Sequence, residues 1–410
     1  MKKSTKLFLF VLTFAVELLA QVINWNATNI TIKTETELRE FAALSNNGMH
    51  FFGQTLTLAN DIELKNGEWT PICEFDDESD YNIGFYGTFD GNNKIISEVY
   101  INQPHKSEQG LFGYNQGTIK NLGVVVDIKG KQNVAGLAAL NGGAIENCYA
   151  LGTVVGMEEH ATVGGLVGLN WITINSCYAE VNVSGINEVG GLAGLNSSDG
   201  TITNSYATGN VTGTGTDIGG LVGWNDNNIK NCYAVGKVIG GGGLVGWNSI
   251  GCTIENCYAL EDFDNEFIEY DNGTSSGGQR TSEELKQQSA YNNWNFVTTW
   301  AIDPTKNNGF PYLRIFDDNM TSIANNFTVK RNNSASFAGI KNGEINLNLK
   351  AGNYTAELYN LQGRLITKTD INATTGVNAT GIKTDNLSKG MFILNLKQAG
   401  ISILKHKVRI

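Results

Sequence analysis

The sequence predicts an all-β protein: a parallel β-helix (solenoid) with short helical caps, followed by a small C-terminal β-sandwich. The first observation behind this prediction is a Gly-Leu phrase that recurs at intervals of 26, 29, 26, 29 and 23 residues. Repetition at this period is typical of a solenoid, in which each repeat buries its core by stacking on its neighbours. The anchor glycines of the phrase are Gly110, Gly136, Gly165, Gly191, Gly220 and Gly243.

The second observation is a period of two in the latter half of each repeat. One such set reads Cys148, Ala150, Gly152 and Val154, and matching sets begin at positions 177, 205 and 232. Small or apolar residues at alternate positions predict strands that face a narrow core. The third observation is that neither half of the repeat is long enough for a helix, which excludes leucine-rich and helical repeats. No proline lies between Pro104 and Pro304, so no repeat strand lacks a backbone donor for its ladder.

The N-terminus is typical of a secretory signal peptide, which we place at residues 1–20. Three lysines, Lys2, Lys3 and Lys6, precede an apolar run at residues 7–16. Ten apolar residues are too few to span a bilayer as a helix, and the small Ala20 suits a cleavage site. We therefore expect an exported protein with no membrane span in the mature chain.

An asparagine follows each Gly-Leu phrase. Because adjacent coils of a β-helix lie about 4.8 Å apart, residues at equivalent positions stack into columns. Stacked asparagine amides can hydrogen-bond along such a column. The sequence therefore predicts a structural ladder of Asn115, Asn141, Asn170, Asn196, Asn225 and Asn248.

The Gly-Leu phrase resembles the GLUG repeat, which is named for its Gly-Leu-any-Gly core. The copies at residues 110–113, 165–168, 191–194, 220–223 and 243–246 match this core, whereas the copy at Gly136 has Ala139 in place of the second glycine. The resemblance implies a β-helix of a secreted or surface protein of bacteria. Proteins with this repeat include adhesins and immunoglobulin-degrading metallopeptidases, so the motif says much about fold and little about function.

Capping segments are expected at both ends of the β-helix, which we place at residues 21–320. Residues 34–44 carry Leu38, Phe41 and Leu44 at helical spacing and should cover the open first coil. The stretch at residues 84–101 resembles the first coils of such proteins. At the other end, Thr281 and Glu284 form a capping-box pattern for a short helix, and residues 300–313 resemble a closing segment.

The last quarter of the chain, residues 321–410, differs from the rest in charge and pattern. It holds 12 Lys and Arg against 4 Asp and Glu, whereas residues 21–320 hold 14 against 35. Residues 352–370 and 387–410 each predict a β-hairpin, with turns at Gln362-Gly363 and Ala399-Gly400. Residues 358–364, 387–392 and the basic end at 405–409 resemble a type IX secretion C-terminal sorting domain, which implies contact with the secretion machinery.

Catalytic, metal and cofactor sites are not indicated by the sequence. A zinc metallopeptidase needs a His-Glu-x-x-His helix, and none of His50, His105, His160 and His406 is followed by Glu. Glu146 and Glu255 share a register, but three coils separate them, so no carboxylate pair is enforced. The acidic stretch at residues 261–271 has no known calcium-loop spacing. The acidic body also argues against nucleic acid as a partner.

Four cysteines occupy one register of the predicted coils, with Ser205 in the same column. Cys148–Cys177 and Cys232–Cys257 could form disulfides, because stacked coils bring their Cα atoms within the allowed range. The alternative, which we favour, is a ladder of small buried thiols, since in-register neighbours orient their Cβ atoms in parallel.

Two columns of aromatic residues are the candidate binding residues. By strand parity, one column points outward: Tyr149, Tyr178, Tyr206, Tyr233 and Tyr258. Trp224 and Trp247 share a second register with Tyr114. Stacked rings can simply staple neighbouring coils, or they can form a flat strip that binds a polysaccharide or a protein surface.

The sequence thus favours a secreted or cell-surface, adhesin-like binding protein without catalytic activity, on the outer surface of a Gram-negative bacterium. Its adhesive role is implied by the resemblance. The alternatives are a polysaccharide lyase or hydrolase, which would need a carboxylate cluster in a groove, and a structural surface spacer that binds no ligand.

Overall fold

The computed structural model describes residues 23–74, 84–261, 265–317, 335–341, 344–349, 352–360, 365–373, 378–383, 391–398 and 401–409. The chain divides into two compact units, Met1–Ile323 and Ala324–Ile410. The predicted signal peptide at residues 1–20 lies outside the described residues. Among the residues described, no helix is long and apolar enough to cross a membrane.

The first unit is a parallel β-solenoid of about nine turns, as the repeat spacing predicts. The strands of the coils form three parallel sheets, which we call faces A, B and C, and four coils contribute a strand to face C. Face A consists of Asn29–Ile32, Thr55–Leu58, Ile62–Glu63, Thr88–Asn102, Thr118–Gly130, Ala144–Glu146, Tyr149–Gly156, Thr173–Asn175, Tyr178–Gly185, Thr201–Thr203, Tyr206–Ala207, Val211–Gly213, Asn228–Lys230, Tyr233–Ala234, Val238–Ile239, Thr253–Leu260 and Thr274–Arg280.

Faces B and C are shorter and are formed around the Gly-Leu phrase. Face B consists of Phe112–Asn115, Ala138–Asn141, Val167–Asn170, Ala193–Asn196, Val222–Asn225, Val245–Asn248 and Ile268–Asp271. Face C consists of Val134–Ala135, Val163–Gly164, Val189–Gly190 and Ile218–Gly219.

The core of the solenoid consists of in-register columns of buried apolar side chains. The leucine of the repeated phrase forms one column, and an isoleucine of face A forms another. The leucine column is Leu111, Leu137, Leu166, Leu192, Leu221 and Leu244, and the isoleucine column is Ile119, Ile145, Ile174, Ile202, Ile229 and Ile254. Each coil buries these side chains only because its neighbours cover them from above and below.

The anchor glycine is required by the close stacking of successive coils. A Cβ atom on Gly165 would clash with the carbonyl oxygen of Gly191, and one on Gly191 would clash with that of Gly220. Backbone atoms cannot move aside as a flexible side chain could, so a larger residue would separate the coils. The same crowding by the carbonyl oxygen of the next anchor glycine occurs at Gly136 and Gly220, which explains the glycine in these four copies of the phrase.

Face A bends at a column of residues in the left-handed conformation. Asn147, Ser176, Asn204, Asn231 and Asn256 have φ of 52°, 55°, 47°, 53° and 52°. Asparagine tolerates this region better than most residues, which explains its place before the Cys/Ser column. Some of these amides also bond to one another, as Asn231 Nδ2 donates to Asn204 Oδ1 at 3.4 Å.

The N-terminal end of the solenoid is covered by helix α1, Glu35–Asn46, as predicted. Thr34 caps the helix in a capping box with Glu37. The helix buries Leu38 and Phe41, and the Phe41 ring lies 4.9 Å from that of Phe51. This aromatic contact seals the first coil, which would otherwise expose its apolar core.

The C-terminal end is followed by a closing segment, residues 281–317. It begins with the predicted short helix α2, Ser282–Leu285, capped by Thr281 and Glu284. Short 3₁₀ turns and a two-stranded antiparallel ribbon follow. Its 3₁₀ turns are Gln288–Ala290, Asn307–Gly309 and Arg314–Phe316, and its strands are Trp300–Ala301 and Tyr312–Leu313.

The second unit contains two antiparallel sheets. The three-stranded sheet consists of Ala335–Lys341, Glu344–Leu349 and Asn378–Lys383, and the four-stranded sheet of Gly352–Asn360, Leu365–Ala373, Met391–Gln398 and Ile401–Arg409. The two predicted hairpins are confirmed, because the strand pairs within residues 352–373 and 391–409 are antiparallel. Their predicted turns, Gln362-Gly363 and Ala399-Gly400, lie outside the described residues.

Candidate binding surface

The asparagines that follow the Gly-Leu phrase form a buried ladder at one corner of the coil. The side-chain amides of the first five donate to the Oδ1 atom of the asparagine one coil further along, over distances of 2.7–2.8 Å. All six side chains are fully buried: Asn115, Asn141, Asn170, Asn196, Asn225 and Asn248. The ladder fixes the register of face B and therefore the alignment of the side chains beside it.

The cysteine column lies in the core on the inner side of face A. The backbone amide of Cys148 lies 3.4 Å from Cys177 Sγ, and the amide of Cys232 lies 3.4 Å from Cys257 Sγ. All six cysteines of the chain are free and buried. Burial raises the pKa of Cys148 and Cys232 well above the usual range, so these thiols stay protonated and unreactive.

The tyrosine column stacks regularly along the outer side of face A. Ring centroids of successive residues from Tyr149 to Tyr233 lie 4.9 Å apart, with interplanar angles of 3–8°. The five tyrosines lie outside the apolar core, yet each is at most 3% exposed. The expectation of an exposed tyrosine strip is therefore wrong.

The closing segment is the reason that these tyrosines are buried. Phe316 packs edge-on against Tyr149 and Tyr178, at centroid distances of 5.3 and 5.1 Å. Trp300 packs on Tyr206 and Tyr233, both at 6.0 Å. The closing segment thus runs back along the stack and covers it, which strand parity alone could not reveal.

Hydrogen bonds fasten the closing segment to the same column. The Tyr233 hydroxyl donates to the Pro311 carbonyl at 2.5 Å and accepts from Asn307 Nδ2 at 2.7 Å. The Tyr258 hydroxyl accepts from the Asn292 backbone amide at 3.1 Å. These hydrogen bonds occupy the hydroxyl groups of Tyr233 and Tyr258 within the protein, so the tyrosine column has a structural role.

A second outward column lies on face B, and all of its members except Leu140 are at least partly exposed. Its members are paired rung by rung from one end of the face to the other. The column is Tyr114, Leu140, Leu169, Leu195, Trp224, Trp247 and Tyr270. Within the described part of the chain, Trp224 and Trp247 are partly exposed, and Tyr270 is 49% exposed.

The C-terminal three rungs of this column form a run of aromatic rings, which we call the aromatic floor: Trp224, Trp247 and Tyr270. The Trp224 and Trp247 centroids lie 6.2 Å apart, and those of Trp247 and Tyr270 lie 5.5 Å apart. Tyr270 was missed by the sequence reasoning because its coil carries no Gly-Leu phrase. The spacing of Ile268, Tyr270 and Asp271 is the same as that of Val245, Trp247 and Asn248 in the preceding coil. This shared spacing is the signal that could have revealed Tyr270.

Polar side chains border the aromatic floor. Trp224 Nε1 donates to Asp226 Oδ1 and to Ser249 Oγ, both at 3.0 Å. Ser249 Oγ also donates to Asp226 Oδ1. The indole of Trp224 is therefore held by its edge while part of its surface remains accessible, an arrangement that orients a ring for stacking.

A group of carboxyl groups lies beside the floor. Glu188 interacts electrostatically with Asp217 and Asp226, and Glu269 interacts with Asp217. Burial, with Asp217 nearby, raises the pKa of both Glu188 and Glu269, while His160 partly offsets the effect on Glu188. In the described residues, none of these four acids forms a salt bridge with Lys or Arg.

The acidic stretch near the end of the solenoid does not assemble into a cation site in the described residues. Asp262 and Asp264 lie outside those residues, and Glu269 and Asp271 lie on the last strand of face B. No group of three or more His, Cys, Asp or Glu side chains in the part of the chain described is placed to hold a metal ion.

Comparison with known families identifies two parts of the chain. Residues 185–212 and 214–239 match the GLUG motif, and residues 341–410 match a secretion system C-terminal sorting domain. Both matches agree with the resemblances found in the sequence. The second match indicates export by type IX secretion to the cell surface or the extracellular space. No curated protein and no solved structure matches the chain.

Proposed function

We propose that this exported β-solenoid is an adhesin-like protein that binds an extracellular polysaccharide on the aromatic floor of face B. The supporting observation is the alignment of Trp224, Trp247 and Tyr270 on consecutive rungs, partly exposed, beside fixed hydrogen-bonding groups. A sugar ring has an apolar C–H face and a polar hydroxyl edge. The aromatic rings of the floor can stack on the C–H face, and the polar side chains at its border can hydrogen-bond to the hydroxyl groups.

The spacing of the floor supports an extended chain as the ligand. Neighbouring coils advance by about 4.8 Å, which is close to the length that one sugar residue adds to an extended β-linked polysaccharide. Successive sugar rings can then meet successive aromatic rings. Because the solenoid holds the rings in place before binding, little conformational entropy is lost on association.

The rest of the protein fits display of this surface. The signal peptide proposed at residues 1–20 directs the chain to the secretion pathway, and the C-terminal unit, with its boundary proposed near residue 321, directs export. The GLUG motif and the sorting domain are not enzyme families, and we assign no catalytic residue. The solenoid then acts as a rigid support that presents the floor outside the cell.

The proposal is tested with oligosaccharides and the full purified chain. Binding of hexasaccharides from different polysaccharides is measured by calorimetry for the natural protein and for the Trp224→Ala, Trp247→Ala double variant. Loss of two stacking rings should weaken binding by about tenfold or more, since 1.4 kcal/mol corresponds to a factor of ten. Tyr100→Ala is the matched control, because Tyr100 is 47% exposed but lies on face A.

The outcome that contradicts the proposal is equally defined. If the double variant and Tyr100→Ala bind every oligosaccharide as the natural protein does, the floor is not the binding surface. Release of reducing sugar from any of these oligosaccharides would instead support the alternative of a polysaccharide-active enzyme.

A further inference from the structure

The aromatic floor lies in a strongly negative environment. Asp226 accepts hydrogen bonds from both the Trp224 indole and the Ser249 hydroxyl. Glu188 and Asp217 lie against the strand that carries Trp224, because a Cβ atom on Gly223 would lie 2.7 Å from backbone atoms of both residues. Glu269 directly precedes Tyr270 in the last strand of the face. A Cβ atom on Gly246, which precedes Trp247, would lie 2.5 Å from the Asp217 carbonyl carbon, so acidic residues lie beside all three strands that carry the floor.

This charge is not neutralised by the described neighbouring residues. None of the four acids pairs with Lys or Arg in the described residues, and His160 is the one basic group found to act on Glu188. The surrounding solenoid adds to the field, since residues 21–320 carry 14 basic and 35 acidic residues. A negative surface of this kind attracts cations and repels anions before contact.

Charge complementarity narrows the class of polysaccharide that the floor can accept. Uronate or sulfated chains would place their negative groups against Asp226 and its neighbours, which opposes binding. A protonated amino group can form a charge-assisted hydrogen bond with a carboxylate, and it also interacts favourably with the face of a tryptophan ring. Aromatic rings and carboxylates together therefore favour a positively charged sugar.

We infer that the aromatic floor binds a polysaccharide that carries free amino groups. This inference rests on the proposed function and specifies its ligand. The sugar rings stack on Trp224, Trp247 and Tyr270, and the ammonium groups pair with Asp226 and the neighbouring carboxyl groups. Binding involves no covalent step.

The experiment compares three hexasaccharides of different charge: β-1,4-linked glucosamine, its N-acetylated counterpart, and galacturonate. Calorimetry uses the full chain at a pH at which the sugar amines are protonated. The glucosamine oligomer should bind about tenfold more tightly than the N-acetylated oligomer, as one charge-assisted hydrogen bond allows, and the galacturonate oligomer should not bind. Added salt should weaken the glucosamine complex most.

Two charge variants connect the preference to named residues. Asp226→Asn retains an oxygen that can accept from Trp224 Nε1, so it removes charge with little change of shape. It should weaken binding of the glucosamine oligomer about tenfold more than it weakens binding of the N-acetylated oligomer. Glu283→Gln is the matched control, since Glu283 is an exposed acid in helix α2 of the closing segment.

Each contrary result has a separate meaning. Equal binding of the glucosamine and N-acetylated oligomers overturns the inference but leaves the proposed polysaccharide function intact. Tighter binding of the galacturonate oligomer has the same two consequences. Failure of all three oligomers to bind overturns both. An oligolysine peptide is tested in parallel, and ring-dependent binding of this peptide at the strength of the glucosamine oligomer would assign the floor to basic peptides and overturn the inference.

Discussion

The side-chain amide of Asn248 donates to Asp271 Oδ1 at 2.8 Å, so the asparagine ladder of the solenoid ends on a carboxylate. Every amide of the ladder donates in the C-terminal direction, and the last rung therefore needs only an acceptor. Asp271 supplies it, and its carboxylate also accepts from the Gly273 amide and the Ser275 hydroxyl. A side chain without donors thus terminates a directional chain of hydrogen bonds and leaves no donor unsatisfied.

We predict that an asparagine in the middle of the ladder contributes more to the free energy of unfolding than the charge of Asp271 at the end of the ladder. Asn196→Ala removes the acceptor of the Asn170 amide and the donor to Asn225, and both partners are buried. The free energy of unfolding should fall by at least about 2 kcal/mol, because unsatisfied buried polar groups are costly. Denaturant unfolding followed by circular dichroism measures the change.

The end of the ladder provides the matched control. Asp271→Asn keeps an oxygen that accepts from Asn248, so its unfolding midpoint should stay near that of the natural protein. Equal midpoints for Asn196→Ala and Asp271→Asn would show that the ladder aligns the coils without stabilising them.

We predict that Trp300 holds the closing segment on the solenoid. Its ring is fully buried and lies 4.3 Å from that of Trp294 and 6.0 Å from that of Tyr206. Trp300→Ala should destabilise the segment by about 3–5 kcal/mol, the usual cost of removing a large buried aromatic side chain. Limited proteolysis should then cleave within residues 281–317 while the preceding coils stay intact.

Val297→Ala is the control variant in the closing segment, because Val297 is 85% exposed and its substitution removes no buried contact. Its cleavage pattern should match that of the natural protein. If Trp300→Ala is as resistant to protease as Val297→Ala, the tyrosine column does not depend on Trp300 for its cover.

We predict that the solenoid unfolds at alkaline pH as its tyrosines ionise. Burial, together with neighbouring rings, raises the pKa of Tyr178, Tyr206 and Tyr233 well above the usual tyrosine value of 10.0. The unfolded chain ionises near that value and the folded protein does not. The stability is therefore fully present below pH 10 and is lost as the pH rises beyond it.

The measurement follows tyrosinate absorbance and circular dichroism over the same titration. Both signals should change together for the buried tyrosines, because ionisation requires unfolding. An early, reversible absorbance change from all tyrosines at unchanged circular dichroism would mean that the column is open to solvent.

We predict that removal of residues 321–410 prevents export. The sorting-domain match covers residues 341–410, which form most of the second unit. Without them, the solenoid should accumulate in the periplasm, as shown by cell fractionation. A protease-resistance assay on that material checks that the solenoid is folded, and normal arrival of folded truncated protein at the cell surface would contradict the prediction.

Much of the fold follows from the sequence alone, because a solenoid is built from contacts between equivalent positions. The spacing of the Gly-Leu phrase predicts the coils, and the glycine itself is explained by the carbonyl oxygen of the next coil, as at Gly165 and Gly191. The asparagines and cysteines form columns for the same reason. Local patterns also predict helix α1 and the capping box at Thr281.

The accessibility of the aromatic columns was decided only by the tertiary structure. Alternation along a strand correctly places Tyr206 and Tyr233 outside the core, but it carries no information about a segment that returns from residues 281–317 to cover them. On face B, Trp224 and Trp247 lack such a cover in the described part of the chain, and Tyr270 joins them from a coil without the motif. Strand period is a local property of the backbone, whereas solvent exposure depends on contacts between residues far apart in the chain, and these form only when the whole solenoid is folded.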